Sequence, residues 1–252
     1  MIMHETLSVN QITWKLAQIL LDNQAFYGVH ASKTSAGTTI VDAGVNTAGG
    51  FQAGLMLTEL CMGGCGKAHV DFKRFGDIEL PSITVCTDHP AVAALGSQFA
   101  GWRIKDGEGI AIGSGPARAL ALKPKDIYEE IGYKDTSDKA VLTLESNSLP
   151  SDMLIEKVTK ACGITPENLI IVVAPTASVA GLTQVTGRIV EVGIHKLRTL
   201  GLSPKAIHYA CGYAPIPPQC GEFEVPVGRR ARSLASSIGC GQPAFLIRKS
   251  GS

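Results

Sequence analysis

The chain alternates short apolar runs with stretches in which apolar residues recur every three or four positions. Short runs are typical of buried strands, and the wider spacing is typical of helices with one face in the core. The pattern predicts helices over residues 8–21, 51–61, 91–98, 117–122, 124–131, 151–162 and 183–197. It predicts strands over residues 38–42, 68–72, 82–87, 110–114, 139–145, 169–173 and 206–213.

The order of these elements indicates the fold class. Strands and helices alternate, but several strands are expected to be linked as hairpins, as in residues 30–45. We therefore predict an α+β fold with α/β-like alternation, a large mixed β-sheet flanked by helices in two lobes that enclose a pocket. Charge and glycine concentrate at residues 105–108. This divides the chain into an N-terminal lobe, residues 1–105, and a second lobe, residues 106–220, which carries the last predicted helix.

That last helix, over residues 183–197, carries a polar row on an otherwise apolar cylinder. Gln184, Arg188, Glu191 and His195 step by four, three and four residues, so their side chains share one face. Arg188 and Glu191 are within contact reach of each other on a continuous helix. A titratable pair on a rigid helix just after a buried strand favours acid–base chemistry. The alternative is a solvated surface ion pair, which contributes little to stability.

Composition excludes several classes of protein. The chain has 252 residues, a formal net charge of +1, 18% charged residues and 28 glycines, which argues against disorder. Basic residues are scattered, so nucleic acid is not an expected partner. No apolar stretch has the length of a membrane span, and the polar N-terminus is not a secretory signal, so we expect a cytoplasmic protein. Seven cysteines at dispersed positions predict reduced thiols rather than a disulfide framework.

Two small groups of polar residues each admit two interpretations. Cys61, Cys65 and His69 could bind a metal, but no second ligand pair stands at a familiar distance, which favours buried thiols in a glycine turn. Asp88 and His89 could form an acid–base pair. The alternative is a turn in which Asp88 caps the next helix.

The segment GSGPARAL, residues 113–120, places a glycine turn before a predicted helix. Backbone N–H groups of Gly113, Ser114 and Gly115 could bind an anion there, with Arg118 adding a positive charge. The alternative is a strand-to-helix turn that needs glycine for its backbone angles. The segment matches neither the Walker nor the dinucleotide-binding pattern.

Six segments together resemble one known family. They are DAGVNTAGGFQAGL (42–55), CMGG (61–64), TDHPAVAALGSQFAGW (87–102), GSGPARALALKPKDIYEEIGY (113–133), LIIVVAPTASVAGLTQVTGRIVEVGIHKL (169–197) and YACGYAPIPP (209–218). In this order, over most of residues 35–218, the chain resembles methenyltetrahydromethanopterin cyclohydrolases. The resemblance implies hydrolysis of the cyclic amidinium of 5,10-methenyl-tetrahydromethanopterin to the 5-formyl compound, without a metal or redox cofactor. It also implies an α/β subunit with a deep inter-lobe pocket, in a homo-oligomer that in several members is a trimer.

The resemblance assigns the catalytic pair to Arg188 and Glu191, within TGRIVEVG. In this reaction a carboxylate within hydrogen-bond reach of the attacking water can accept its proton, so Glu191 is the expected general base. Arg188 is expected to orient Glu191 and to keep it ionised. His195 becomes a neighbour. The further residues expected to bind the pterin or water are Asp88, His89, Gln98, Gly113, Ser114, Gly115, Arg118, Thr176 and Gln184.

After Pro218 the likeness is expected to stop, and residues 221–252 form a divergent or truncated tail. Two alternatives follow for the function. The chain could be an inactive pterin-binding or assembly subunit, or it could be a related hydrolase acting on folate or another pterin.

Overall fold

The computed structural model describes residues 7–107 and 109–218 and the backbone of residues 245–249, and there the strands form two sheets. The strands are β1 (His30–Lys33), β2 (Thr39–Asp42), β3 (Gly66–Phe75), β4 (Ile78–Thr87), β5 (Trp102–Asp106), β6 (Gly109–Ser114), β7 (Ala140–Glu145), β8 (Leu169–Ala174), β9 (Ile207–Pro215) and β10 (Phe245–Lys249). The helices are α1 (Val9–Asp22), α2 (Gln24–Tyr27), α3 (Phe51–Cys61), a π-helix (Ala91–Gln98), α4 (Ala117–Ala121), α5 (Lys125–Ile131), α6 (Asp152–Cys162), α7 (Val179–Thr186) and α8 (Ile189–Thr199). Two 3₁₀ turns, Pro166–Asn168 and Pro204–Ala206, precede β8 and β9.

The larger sheet is mixed, in the order β1-β2-β8-β7-β6-β5. Its three central strands, β2, β8 and β7, run parallel, and the outer neighbours pair antiparallel. Every residue of β8, LIIVVA, is buried, as expected for a central strand of a parallel sheet that helices cover on both faces. The mixed sheet flanked by helices confirms the predicted fold class.

Helices cover the two faces of the larger sheet. On one face, α1, α3 and α7 pack against Ile170 and Val172 of β8. On the other face, α4 and α6 pack against Ile171 and Val173. Since successive strand residues point to opposite faces, one apolar run supplies both cores.

The second sheet is antiparallel, in the order β10-β9-β4-β3. It packs with the π-helix, α5 and α8 around a third apolar core that includes Ile83, Val85 and Val190. Cys86 on β4 and Cys211 on β9 stand directly opposite and form a disulfide, so the prediction of reduced thiols is wrong for this pair. The prediction failed because the cross-strand register, which places the two residues together, is a property of the tertiary structure.

Most predicted elements are confirmed, usually with ends within one residue of the prediction. Ser8 and Ser151 cap α1 and α6, each accepting a hydrogen bond from the backbone N–H three residues on.

The predicted boundary at residues 105–108 falls at the turn between β5 and β6, which pair within the larger sheet. The division into two lobes stays a prediction. The predicted tail, 221–252, lies outside the described residues except for the backbone of β10.

The prediction of one helix over residues 183–197 is wrong. The structure has two helices, α7 and α8, separated by Gly187 and Arg188. Gly187 lies against α3, where an added Cβ would come within 2.7 Å of the Thr58 side chain, and its carbonyl oxygen accepts a hydrogen bond from Gln98 Nε2 at 3.2 Å. Glycine is a poor helix former, so this close contact and this competing donor favour a break there.

The helices α3 and α7 approach closely at Gly54, and Gly54→Ala is expected to lower the free energy of unfolding. An added Cβ would overlap the Thr183 side chain and lie 2.8 Å from the Ala180 carbonyl oxygen. Overpacking of this kind costs about 2 kcal/mol, more than the roughly 1 kcal/mol that alanine adds in helix propensity. Urea unfolding would measure the change. Gly109→Ala is the control, because its Cβ would meet only the Asp106 carbonyl oxygen, at 3.5 Å; equal stability of the two variants would contradict the prediction.

No helix among the described residues has the length and apolar character needed to cross a bilayer.

Candidate active site

The candidate site lies where the break between α7 and α8 faces the ends of β6, β7 and the π-helix. Arg188, at the break, donates from Nη1 to the Gln98 carbonyl oxygen at 2.6 Å and from Nη2 to Ser114 Oγ at 3.0 Å. Its Nε lies 4.0 Å from Glu145 Oε1. Arg188 is therefore a buried cation that contacts Gln98, Ser114 and Glu145. The alternative of a solvated surface ion pair is wrong.

Glu191 lies in the first turn of α8 and is only 6% exposed. Among the described residues it has no hydrogen-bond partner and no ion pair within 4.0 Å, so the predicted direct contact with Arg188 is not formed. Burial raises the pKa of Glu191, the positive charges of Arg188 and Arg118 lower it, and the Glu145 carboxylate raises it, with a net increase. The result is a carboxyl group that binds a proton more readily than an ordinary glutamate.

Arg118, predicted to bind an anion, is fully buried in α4. Its Nε donates to the Lys123 carbonyl oxygen at 2.7 Å, and Nη1 donates to the carbonyl oxygens of Leu95 and Ser97 at 3.2 and 3.0 Å. Nη2 is buried with no hydrogen-bond partner in the described part of the chain. Burial lowers the pKa of this guanidinium, while the Tyr128 and Glu191 side chains raise it. Arg118 thus ties the π-helix to α4 and adds a positive charge near Glu191.

A series of buried polar contacts links α7 and α3 to Arg188. Gln184 Nε2 donates to Cys61 Sγ at 3.2 Å, and Cys61 Sγ lies 3.6 Å from Ser114 Oγ, the acceptor of Arg188. Gln98 is also buried, and its Oε1 has no hydrogen-bond partner in the described part of the chain. The structure thus brings Gln98, Ser114 and Gln184 together around Arg188, as predicted for a shared site.

The other predicted residues make no hydrogen bond or ion pair with Arg188 or Glu191. Gly113 and Gly115 are buried at the end of β6, and Gly115 has a left-handed φ of 96°, which favours glycine. Thr176 is half-buried in the loop before α7, and Asp88 and His89 are exposed at the end of β4.

His195 contacts an aromatic ring, and Cys61, Cys65 and His69 do not form a metal-binding group. His195 stacks on Phe99 with ring centroids 5.1 Å apart. Cys61 is buried, whereas the His69 side chain is 62% exposed and faces Asp71. Within the described ranges, no three His, Cys, Asp or Glu side chains are grouped closely enough to hold a metal ion.

Sequence reasoning missed Glu145, which forms the ion pair with Arg188 in the described part of the chain. A usable signal was present in β7, AVLTLE, where Leu142 and Leu144 point to the core between β7 and α6. Thr143 and Glu145 alternate with them and therefore point to the opposite face, toward the site. The missing information was that β7 and the α7–α8 break are neighbours in space.

The fold and the site together define an α+β protein in which the charged side chains of Arg118, Arg188 and Glu191 are buried. The model of a family described as Cyclohydrolase (MCH) matches residues 8–236. The chain is 48% identical over 212 residues (84% of this chain, 67% of the relative) to a protein of Methanospirillum hungatei, and 42% identical over 241 residues (96% and 74%) to one of Methanococcoides burtonii. Both relatives are named methenyltetrahydromethanopterin cyclohydrolase. The chain belongs to the methenyltetrahydromethanopterin cyclohydrolase family.

A third relative of the same name, from Methanosarcina barkeri, is 39% identical over 249 residues, or 97% of this chain and 75% of the relative. The family match extends to residue 236, past Pro218, so the prediction that the likeness ends at Pro218 is wrong.

Proposed function

We propose that the protein hydrolyses the cyclic amidinium of 5,10-methenyl-tetrahydromethanopterin to 5-formyl-tetrahydromethanopterin, with Glu191 as the general base and Arg188 as its orienting partner. The names of the relatives support this substrate. The observation that carries the mechanism is the state of Glu191, a buried carboxyl group beside two arginines with no hydrogen bond to another described residue.

The contrast with Asp42, also buried, shows why this state is unusual. The Asp42 carboxylate accepts hydrogen bonds from five groups, the backbone N–H of Gly44, Val45 and Asn46, the Asn46 side chain and the Thr47 hydroxyl, at 2.7–3.2 Å. Burial raises the pKa of Asp42, but these hydrogen bonds outweigh it and the net shift is downward. A buried carboxylate in a structural role is paired in this way. Glu191 keeps its acceptor oxygens available for water.

The proposed reaction begins with water attacking the amidinium carbon between N5 and N10. Glu191 takes one proton from the water as the new C–O bond forms, and the cation becomes a neutral tetrahedral adduct. The C–N10 bond then breaks, Glu191 returns its proton to N10, and the hydroxyl loses its proton as it becomes the formyl carbonyl. Overall, one cation and one water give the formyl product and one proton.

Arg188 is proposed to act by position and charge rather than by a direct ion pair. Its guanidinium, fixed by Gln98 and Ser114, stabilises negative charge on the oxygen and on Glu191 as the proton moves. Arg118 adds a second, more deeply buried positive charge. The positive charge of the bound substrate favours the ionised form of Glu191, which is the form that can accept a proton from water.

The remaining predicted residues are proposed to line the pterin pocket. Gln98 and Gln184 lie next to Arg188 and are the strongest candidates for contacts with water or pterin. The others are proposed as further parts of the pocket wall: Asp88, His89, Gly113, Ser114, Gly115, Arg118 and Thr176. Of these, Arg118 reaches the ligand only through its unpartnered Nη2, because the rest of its guanidinium is occupied.

The test is loss of the methenyl absorbance when the purified 252-residue chain meets methenyl-tetrahydromethanopterin. Turnover is expected, and Glu191→Gln is the matched inactive control. Turnover only of methenyl-tetrahydrofolate would indicate the related folate hydrolase instead. Binding of the pterin without turnover would indicate the inactive binding subunit. Either result overturns the proposal.

We also propose that no redox cofactor takes part, because the carbon is neither oxidised nor reduced in this hydrolysis, and that no metal is needed, because the amidinium carbon is already electron-poor. Activity should then survive exhaustive dialysis against EDTA. The proposed working state is a cytoplasmic homo-oligomer, with the trimer expected from the resemblance, which light scattering would measure.

A further inference from the structure

Among the described residues, the carboxylate nearest to Arg188 is Glu145, at the last position of β7. Its backbone is fixed on both sides, because it pairs with Ile112 of β6 and with Ala174 of β8. Its side chain is 20% exposed, and Oε1 lies 4.0 Å from Arg188 Nε. A rigid strand end therefore presents a negative charge to the catalytic guanidinium.

The donors of Arg188 show what this charge does. Nη1 and Nη2 each have a neutral acceptor, whereas Nε is buried with no hydrogen-bond partner in the described part of the chain. A buried unpaired donor is costly, so the side of the guanidinium that carries Nε is attracted to the Glu145 carboxylate. The same guanidinium has no ion pair with Glu191, although the two residues are only three positions apart in the sequence.

We propose that Glu145 is a positioning residue of the hydrolysis: it anchors the Nε side of Arg188 and so keeps Glu191 free of a direct ion pair. This inference rests on the proposed function. Without Glu145, Arg188 is left with Glu191, a carboxyl group whose pKa its positive charge already lowers. A salt-bridged glutamate holds its electron pair in that bridge and is a weaker base for the attacking water.

The charges around Glu191 predict how the pH profile responds. Within the described ranges, three charged groups act on its pKa, namely Arg188 beside α8, Arg118 from α4 and Glu145 from β7. The π-helix packed on α8, AVAALGSQ, has no titratable residue, and no titratable group of β4 or β9 contributes. Glu145 is the one negative charge among them, so its loss lowers the pKa of Glu191.

The experiment compares Glu145→Gln, Glu145→Ala and Glu145→Asp by the pH dependence of kcat/KM for hydrolysis. Ionised Glu191 is the active form, so the rate falls at acid pH along a limb set by its pKa. Glutamine keeps an acceptor but removes the charge. The pKa of Glu191 should then fall, and the acid limb should shift to lower pH by about one unit. Alanine removes both, and kcat should also fall about tenfold because Arg188 loses its anchor. Aspartate keeps the charge and should leave the limb in place.

The matched control is Glu129→Gln, which removes an equal charge from an exposed ion pair with Lys125 on α5. Its profile should equal that of the unchanged protein. A uniform loss of rate in the Glu145 variants with an unmoved acid limb would show a structural role only and overturn the inference. So would a limb that moves upward in Glu145→Gln.

The two proposals fail separately. An unchanged protein that does not turn over methenyl-tetrahydromethanopterin overturns the proposed function alone. The Glu145 inference is then tested by ¹³C NMR titration of glutamate-labelled protein, with Glu191→Gln to assign the signal. A lower Glu191 pKa in Glu145→Gln supports the inference, and an unchanged pKa overturns it.

Discussion

Glu191→Gln is expected to lower kcat for hydrolysis by about a thousandfold while leaving the affinity for the pterin nearly unchanged. General-base catalysis contributes roughly 10²- to 10⁴-fold to a rate, and glutamine has the size of glutamate but cannot accept the proton. Because the Glu191 carboxyl has no hydrogen bond to another described residue, its replacement by glutamine breaks no hydrogen bond or ion pair among the described residues. Stopped-flow absorbance would measure kcat, and fluorescence titration would measure binding.

The control for this prediction is Glu156→Gln, an exposed glutamate on α6. It should keep full activity. If Glu191→Gln retained turnover within a few-fold of the unchanged protein, Glu191 would not be the base. If Glu191→Gln lost both pterin binding and turnover, Glu191 would instead be assigned to substrate recognition.

The second large effect is expected from Arg118→Met, which should lower the free energy of unfolding by about 3 kcal/mol or more. The guanidinium satisfies the carbonyl oxygens of Leu95, Ser97 and Lys123, and a buried acceptor left unpaired costs about 1–3 kcal/mol. Methionine fills much of the volume, so the loss reports the hydrogen bonds rather than a cavity. Urea unfolding with a constant m-value would measure it.

The same variant also tests the charge balance at the site. Arg118 lowers the pKa of Glu191, so its removal should move the acid limb of the pH profile upward, opposite to Glu145→Gln. Arg103→Met, an exposed cation on β5, is the control and should change neither quantity. Stability equal to that of the control would mean that Arg118 is not structural.

Much of the fold could be predicted because the signals are local. The run LIIVVA of β8 is apolar throughout, as burial on both faces requires. Capping serines give the starts of α1 and α6. The strand β5, WRIKD, escaped prediction because its alternation of apolar and charged residues is short and ends in the charged stretch taken as a boundary. The π-helix has the bounds predicted for a helix. The spacing of its apolar residues does not distinguish a π-helix from an α-helix.

The candidate site could be predicted only in part. Arg188 and Glu191 were identified by spacing and by resemblance, and both are buried at one place in the structure. Their relation was predicted from an unbroken helix, and the break at Gly187 changes it. Arg118 was expected at a glycine turn facing a ligand. Its three backbone acceptors come from segments that are distant in sequence or lie past the end of α4, and no local pattern reveals such contacts.

The sequence by itself determined most of the strands and helices and the family, and it identified Arg188 and Glu191 as candidates, because apolar period, capping residues and motif order are properties of neighbouring residues. The tertiary structure alone decided that Arg188 pairs with Glu145 rather than Glu191. It also decided that Arg118 is buried under the π-helix and that Cys86 meets Cys211. Each of these depends on the register or packing of elements tens of residues apart, and the charge on a buried group is set by what lies around it in space.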